Sequence, residues 1–566
     1  MEVASSFPSY SAKEPPIHIL ADDILAYIFL LNATIPEHAT TMASSQVCTR
    51  WRSIALNYRT IWSRIIDYRQ HSLKWIETLL DRSKPTSLDF GSRIKTVYLA
   101  GIPDGGQGVL ELVFNHIDRL RIFNVHIRVS KWELVCSRFL QLPAPNLEFV
   151  HVFSNDFVGH LTHPLFDNHA PNLQNLGLLR CSVDLTSPVL TPLTELYVNG
   201  NPVPTVLEWL NILGGMPSLR WLTLRDAISG APANDICPVI HLGALEMLSV
   251  EAPFYEGVTL VDHLIVPHRC GLRLRYDHCD VKFDHRQLLA VMEKKMNSWE
   301  RNAPNRYLEV SSSKDYVTIA NLKKLGYASE RQWYTEAIEV AGGRFTSGND
   351  VDPVMTIQLE IAENQEDIPI FLSLFALFEW TFYDTTYLEL SILKYYLDDG
   401  TEALPLLVDS FRRFEKLEKL SLEYNGTEFP FPLLQQENSV IFPALKFIEF
   451  YDPPFYNGSE SLLPASESLL PVADFLQWRR EQGFPVPKVE IVYSLTDGYN
   501  FVDREYIEAQ LQDTVVEFTN RNSSHLDRYT EDLYTEDSDT GDSDTEDSDT
   551  EDSEYSLIFR SFIRDL

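Results

Sequence analysis

An apolar pattern of the form L-x-x-L-x-L returns along most of this chain. Clear copies begin at Leu147, Leu173, Leu193, Leu219 and Leu245, and two earlier copies begin at Ile94 and Ile122, at steps of 20 to 28 residues. The register blurs after about residue 272, and weaker copies follow at Val354, Leu388, Leu417 and Leu445. Short apolar alternation predicts one strand per copy, and a repeat of this length is typical of stacked supersecondary units.

The segments between the predicted strands carry helical patterns. In residues 203–215, Val206, Leu207, Leu210 and Leu213 recur at helical spacing before a Gly pair, which predicts a return helix. No single strand-and-return unit could bury its own apolar face, whereas stacked units bury a continuous core. The sequence therefore predicts an α/β fold with parallel strands. An ordinary, non-repetitive α/β domain remains the alternative.

Residues 15–65 have a different pattern and form a separate predicted unit. A Pro pair and Asp22, a possible N-cap, precede an apolar run that includes Ile24, Ile28 and Leu31. A unit of about 50 residues cannot cover a helix that is apolar over so much of its circumference. The leftover apolar surface predicts a partner.

Composition and charge exclude several classes of protein. The 566 residues carry a formal net charge of −34, which argues against nucleic-acid binding, because that needs clustered Lys and Arg. The six cysteines are scattered without a C-x-x-C pair, and the N-terminus lacks the pattern of a signal peptide. The longest apolar stretch, residues 368–378, is too short to span a bilayer. We therefore expect a cytoplasmic or nuclear protein without a membrane partner.

The last part of the chain is of low complexity. Residues 535–554 repeat one acidic pentapeptide four times, and such charge density predicts disorder. Ser543 and Ser548 have acidic residues at +1 and +3, which suits an acid-directed kinase. Residues 555–566 show helical apolar spacing and predict an amphipathic terminal helix.

Motifs for chemistry are absent from the sequence. Residues 101–108, GIPDGGQG, lack the G-K-[ST] of a phosphate loop, and His263, His268, Cys270, His278, Cys279 and His285 match no standard zinc spacing. We therefore expect no catalytic residue, no metal and no cofactor, and a protein that is not an enzyme.

The apolar repeats resemble the leucine-rich repeat, since Asn201 and Asn425 stand eight residues after the first Leu of their copies. The resemblance implies an irregular horseshoe of parallel strands whose alternate side chains face the concave surface. Aromatic and Arg residues there would bind a substrate. The expected substrate-binding residues are Tyr98, His126, Phe149, His151, Tyr197, Trp221, Arg225, Phe447 and Tyr451.

The N-terminal segments PIHILADDILAYIF and VCTRWRSIALNYRTIW resemble the F-box. Their residues and spacing are most similar to those of the expanded F-box families of mushroom-forming fungi. Ala21 stands where that family has Pro, and Asp23 where it has Glu. The resemblance implies a three-helix unit that binds a Skp-type adaptor. Matched by position, the adaptor-binding residues are Leu20, Ile24, Leu25, Ile28, Phe29, Val47, Cys48, Trp51, Arg52 and Trp62.

These patterns divide the chain into seven predicted segments. They are a disordered N-terminus (1–14), an F-box (15–68), a helical linker (69–90), the repeats (91–500), a C-terminal helical segment (501–529), the acidic tail (530–554) and a terminal helix (555–566).

What the resemblance implies is a substrate receptor of a ubiquitin ligase. The adaptor would join the chain to a cullin, and the repeats would hold an unknown protein substrate. The alternative is a scaffold or chaperone-like protein whose acidic tail binds basic partners such as histones.

Overall fold

The computed structural model is a mixed α/β protein whose strands are mostly parallel, so the predicted fold class is confirmed at that level. It describes residues 20–33, 38–69, 71–92, 96–99, 102, 106–154, 156–157, 164–200, 204–230, 237–267, 270–277, 290–292, 294–295, 307–312, 316–322, 355–360, 382–391, 408–423, 431–435, 440–451, 465–493, 504–511 and 514–520. The N-terminal segment, the acidic tail with Ser543 and Ser548, and the terminal helix lie outside these residues.

Two compact units make up the chain, Met1–Leu193 and Thr194–Leu566. The first unit begins with five helices: α1 (Asp22–Asn32), α2 (His38–Ser44), α3 (Thr49–Asn57), α4 (Arg59–Arg64) and α5 (Leu73–Arg82). Leu25 and Phe29 of α1 are buried with Ile54 of α3 and Trp62 of α4. The Trp62 indole Nε1 donates to the Ala55 carbonyl at 2.8 Å, which satisfies its buried polar atom.

A small parallel sheet completes the first unit. Its elements are β1 (Leu88–Phe90), β2 (Val97–Tyr98), α6 (Gln107–Phe114), β3 (Leu120–Ile127), α7 (Val129–Val135), β4 (Phe149–Ser154) and β5 (Asn175–Leu179). Both β1 and β2 pair with β3, which pairs with β4, and β4 pairs with β5. The Phe123 ring lies 4.0 Å from that of Phe139 and 5.5 Å from that of Phe90, so aromatic packing fills this core.

Buried Arg119 joins the helices of this unit to its sheet. Its guanidinium donates to the Thr86 carbonyl at 2.8 Å, the Leu80 carbonyl at 3.2 Å and the Ser83 hydroxyl at 2.9 Å. These acceptors include the carbonyl of the last turn of α5, which has no partner within the helix. The end of α5 is thereby fixed beside the start of β3.

The second unit contains most of the strands. They are β6 (Glu195–Asn199), β7 (Trp221–Arg225), β8 (Ile240–His241), β9 (Met247–Pro253), β10 (Leu264–Ile265), β11 (Gly271–Asp277), β12 (Tyr307–Ser312), β13 (Tyr316–Leu322), β14 (Met355–Glu360), β15 (Tyr387–Ser391), β16 (Lys419–Glu423), β17 (Phe447–Tyr451), β18 (Lys488–Tyr493) and β19 (Val515–Asn520). Its helices are α8 (Val206–Gly214), α9 (Phe254–His263), α10 (Phe431–Leu434), α11 (Ala465–Glu481) and α12 (Arg504–Gln510).

The predicted return helix in residues 203–215 is α8. Thr205 and Glu208 form a reciprocal capping box at its start, with the Thr205 backbone N–H donating to the Glu208 carboxylate at 2.8 Å. Leu210 and Leu213 are fully buried, so the apolar spacing identified the face that packs on the core.

The repeated apolar positions align across neighbouring strands. Leu222 pairs with Leu248 and Leu224 with Val250 between β7 and β9, and the same two rows continue from β6 to β11. The members of these rows are at most 5% exposed. Each buried Leu or Val stabilises the fold by about 1.5–3 kcal/mol relative to exposure, so the rows form the main core of this unit.

Strand order departs from chain order in the middle of the second unit. β11 pairs in parallel with β14, β14 is antiparallel to β13, β13 is antiparallel to β12, and β12 is parallel to β15. From β15 to β19 each strand pairs in parallel with the next. The blurred register after residue 272 marks this reversed block.

Two details differ from the sequence predictions. Residues 501–529, predicted as helical, contain α12 followed by the strand β19, because Val515, Val516 and Thr519 are β-branched. The N-cap of α1 is Ala21 rather than Asp22, since the Leu25 N–H donates to the Ala21 carbonyl at 3.1 Å. No helix within the described ranges is long and apolar enough to cross a membrane.

Candidate protein-binding surfaces

One side of α1 exposes a row of large apolar residues. Ile24 is 47% exposed, and Tyr27 and Leu31 are each 57% exposed. Positions i, i+3 and i+7 share one face of a helix, so these three side chains form a continuous row. We call Ile24, Tyr27 and Leu31 the α1 row. Val47, in the loop before α3, is a further exposed apolar residue at 62%.

The predicted adaptor-binding residues fall into three groups. Ile24, Val47 and Arg52 are exposed, while Leu20, Ile28, Cys48 and Trp51 are half-buried. Leu25, Phe29 and Trp62 are at most 1% exposed and lie in the core, where they hold the helices together and cannot contact a partner. Tyr27 and Leu31 were not among the predicted site residues. Their spacing from Ile24 is the signal that identifies them.

Cys48 and Trp51 shape the start of α3. Cys48 is its N-cap, and the thiol accepts a hydrogen bond from the Trp51 backbone N–H at 3.5 Å. The Trp51 ring lies 5.0 Å from that of Phe29 on α1. Both residues therefore support the helix pairing rather than carry out chemistry.

Arg50 fixes the start of α1. Its guanidinium donates to the Leu20 carbonyl at 2.5 Å and lies 2.7 Å from the Asp22 carboxylate. These contacts hold both neighbours of Ala21, whose backbone φ of −65° and ψ of 155° are extended. Since a proline ring imposes nearly the same φ, Arg50 supplies by hydrogen bonding a restraint that a proline would supply covalently.

In the first unit, the predicted substrate-binding positions are mostly covered. Tyr98 is exposed, and its ring is tilted against that of half-buried His126 with ring centroids 5.2 Å apart. Phe149 and His151 are buried, unlike the open positions that strand alternation predicts, because both faces of β4 are covered. The His151 ring lies against Gly177 on β5, its partner in the register. Burial lowers the pKa of the His151 imidazole to about 3.

In the second unit, Tyr197, Trp221 and Arg225 are half-buried on one face of β6 and β7. The Arg225 Nε donates to the Glu251 carboxylate at 2.7 Å, and the Trp221 Nε1 donates to the Glu246 carboxylate at 3.1 Å. This face is a network of aromatic and ionic groups, which suits recognition of protein side chains.

The strands β15 to β18 carry a second such network. The Lys419 ammonium lies 4.6 Å from the Tyr387 ring and 4.9 Å from the Phe447 ring, and Lys488 lies 4.8 Å from Phe447 on its other side. Phe447 is half-buried, and the Tyr451 side chain lies outside the described residues. Cations over aromatic faces are favourable contacts, so this row is internally stabilised.

A row of carboxylates runs beside these aromatic and lysine residues. One register position across β15 to β19 holds Glu389, Ser421, Glu449, Glu490 and Glu517. Neighbouring strands lie about 4.8 Å apart, so like charges at one register repel. Lys419 pairs with Glu449 at 2.9 Å, and Lys488 pairs with Glu517 at 2.7 Å and with Glu490 at 4.0 Å, so the two lysines offset part of this repulsion.

Among the described residues, no group of three or more His, Cys, Asp or Glu could hold a metal ion. Of the His and Cys cluster noted in the sequence, His268, His278, Cys279 and His285 lie outside the described residues. Cys270 is buried, and burial raises the pKa of its thiol to about 12. Its thiol is therefore protonated at neutral pH.

Comparison with known proteins adds no identification. No protein-family model matches the chain, and no curated protein matches it.

Gly177→Ala should destabilise the protein by about 1–3 kcal/mol, because the new Cβ would lie 2.3 Å from the buried His151 Cδ2. Chemical denaturation of both proteins measures this change. Gly243→Ala is the control, since nothing lies within 4 Å of a Cβ built there. Equal losses in the two variants would contradict the contact.

Acid should destabilise the protein through His151. Between pH 6.5 and about 3, the unfolded chain binds a proton at this residue that the folded chain does not. The free energy of unfolding should therefore fall by up to about 1.4 kcal/mol per unit of pH decrease, with no effect above this window. Denaturation at several pH values should show a flatter dependence in His151→Leu. A smaller part of the slope belongs to half-buried His116, whose pKa burial also lowers. An unchanged slope in His151→Leu would show that the imidazole is protonated in the folded chain.

Arg50→Ala should loosen the start of α1. Amide hydrogen exchange at Leu25, whose N–H donates to the Ala21 carbonyl, should accelerate by about tenfold, which corresponds to loss of one charge-assisted hydrogen-bond set. Ala21→Pro added to Arg50→Ala should restore protection, because the backbone already has the required φ. Wild-type exchange in the single variant would show that the guanidinium contacts do not hold this turn.

Proposed function

We propose that this chain is the substrate-recognition subunit of a Skp/cullin/F-box ubiquitin ligase. In this proposal the N-terminal helices are an F-box that binds a Skp-type adaptor, and through it a cullin. The parallel strands are an irregular leucine-rich-repeat horseshoe that holds a protein substrate, and the chain itself is non-catalytic and cytoplasmic or nuclear.

The α1 row is the observation that carries the proposal. Three large apolar side chains about half exposed on one helix face are costly in water, since each loses about 1–2 kcal/mol of the stabilisation that full burial gives. Such a row is expected where another protein covers it. Leu25 and Phe29, buried on the other side of α1, keep the row in place without contributing to the contact.

The strand faces support the second half of the proposal. Tyr197, Trp221 and Arg225 are accessible in part and combine aromatic and cationic groups, which interfaces favour. They lie on strands held by buried rows, so a substrate would meet a rigid surface.

A second candidate function has one observation in its favour. Glu389, Glu490 and Glu517 of the carboxylate row are at least partly accessible, and a carboxylate-rich face suits a basic partner. A scaffold for basic proteins would use this face together with the acidic tail, and it would not require the α1 row to bind an adaptor.

The purified full-length chain should bind a Skp-type adaptor in a one-to-one complex. Ile24→Asp combined with Tyr27→Asp should weaken binding at least about a hundredfold, because two central interface residues become charged. Titration calorimetry measures the affinity. The control is Ile265→Asp with Tyr383→Asp, the same substitutions at residues of similar exposure in the second unit.

Equal binding by the wild type and the α1 variant would contradict the assignment of the α1 row. No binding by the wild type would contradict the ligase function and favour the scaffold. A wild-type dimer that the α1 variant converts to a monomer, without adaptor binding, would show that a second copy covers the row.

A further inference from the structure

A short basic region interrupts this acidic chain. Residues 47–84 contain eight Lys and Arg and three Asp and Glu, which gives a net charge of +5. Since the whole chain carries −34, the remaining residues together carry −39. Residues 47–84 form α3, α4, α5 and their connections, and α3 and α4 pack against α1. The charge of this region is therefore opposite to that of the remaining protein.

Three of the eight cations are occupied within the fold. Arg50 binds Asp22, the Lys84 ammonium lies 2.8 Å from the Asp81 carboxylate, and the Arg82 guanidinium lies 4.8 Å from the Trp62 ring. The other five are exposed, and in the part of the chain that the structure describes their side chains form no hydrogen bond or ion pair. We call these five residues the basic surface: Arg52, Arg59, Arg64, Arg69 and Lys74.

Exposed apolar residues are interspersed among these cations. Leu56 lies one turn after Arg52 on the same face of α3, Tyr58 precedes Arg59, and Leu73 precedes Lys74. Arg and Tyr beside aliphatic side chains are typical of protein interfaces. A phosphate backbone would use the cations but gain nothing from Leu56 or Leu73. The composition of the surface therefore favours an acidic protein over a nucleic acid.

We propose that the basic surface receives a carboxylate-rich face of the same protein that covers the α1 row, and this rests on the proposed function. The partner's apolar contact would be made by Ile24, Tyr27 and Leu31, while its acidic groups would be drawn to α3, α4 and α5. Complementary charge of this kind accelerates association, and it does so most at low ionic strength. The rest of the chain carries a net charge of −39, which repels an acidic partner at long range, so the basic surface favours one orientation of approach.

The test measures association of the full-length chain with a purified Skp-type adaptor by stopped flow, from about 50 to 500 mM NaCl. Arg59→Glu combined with Arg64→Glu should slow association by about tenfold or more at low salt and flatten its salt dependence, with little change in the dissociation rate. Arg128→Glu with Arg138→Glu is the matched control, because both are exposed arginines of the same unit and the charge change is identical. Ile24→Asp should instead raise the dissociation rate.

A polyglutamate peptide is the second probe and does not depend on the adaptor. The wild type should bind it at low salt, and the Arg59 and Arg64 variant should not. If no adaptor binds the wild type but this pattern holds, the ligase function fails while the acidic specificity of the basic surface stands. Equal association rates in the variant and the control would overturn the proposal, as would tighter binding of a single-stranded oligonucleotide or an anionic phospholipid vesicle than of the peptide.

Discussion

Each strand that extends the sheet of the second unit must place two apolar side chains level with those of its neighbour. Leu222 and Leu224 meet Leu248 and Val250 in this way, and a slip of one residue would bring Trp221, Thr223 and Arg225 into the core instead. This constraint fixes the strands but leaves the connections free to vary in length. It also forces every alternate residue onto the other face, so residues at one register, such as the glutamates of β17 to β19, become immediate neighbours whatever their charge.

The N-terminal helices face a different constraint, which is size. Five short helices can enclose one layer of side chains, and Leu25, Phe29, Ile54 and Trp62 fill it. Nothing remains within the described helices to cover the opposite side of α1. The apolar row there follows from making both sides of one helix hydrophobic in a module with a single core. Arg50 and Arg119 compensate for the small core by binding backbone carbonyls at helix ends.

The sequence predicted what depends on local periodicity. The strands β4 to β7, the strand β9 and the helix α8 lie where alternating or helical apolar spacing indicated, because spacing reports which face of an element is buried. It does not report what covers the other face, so Phe149 and His151 could not be distinguished from Tyr197. Motif matching likewise grouped buried Leu25 and Phe29 with exposed Ile24, since a motif records which residue types occur and not which side of the helix each one occupies. Periodicity cannot predict the strand order β14, β13, β12, because the pairing of strands depends on contacts between residues far apart in the sequence.

That reversed order has a consequence for how the chain assembles. When successive units stack in chain order, each new strand pairs with a strand that has already folded, so folding can proceed one unit at a time. Here β12 has no template on β11. It can join only through β13 and β14, which are made later, so residues 307–360 must close as one block before β15 has an edge to extend. β12 and β13 can pair across a short connection, but pairing β13 with β14 must also close the longer connection 323–354, and this costs loop entropy. We therefore expect this block to form more slowly than units that stack in chain order. During synthesis, the strands up to β11 can therefore be folded before β14, the strand that pairs with β11, has been made.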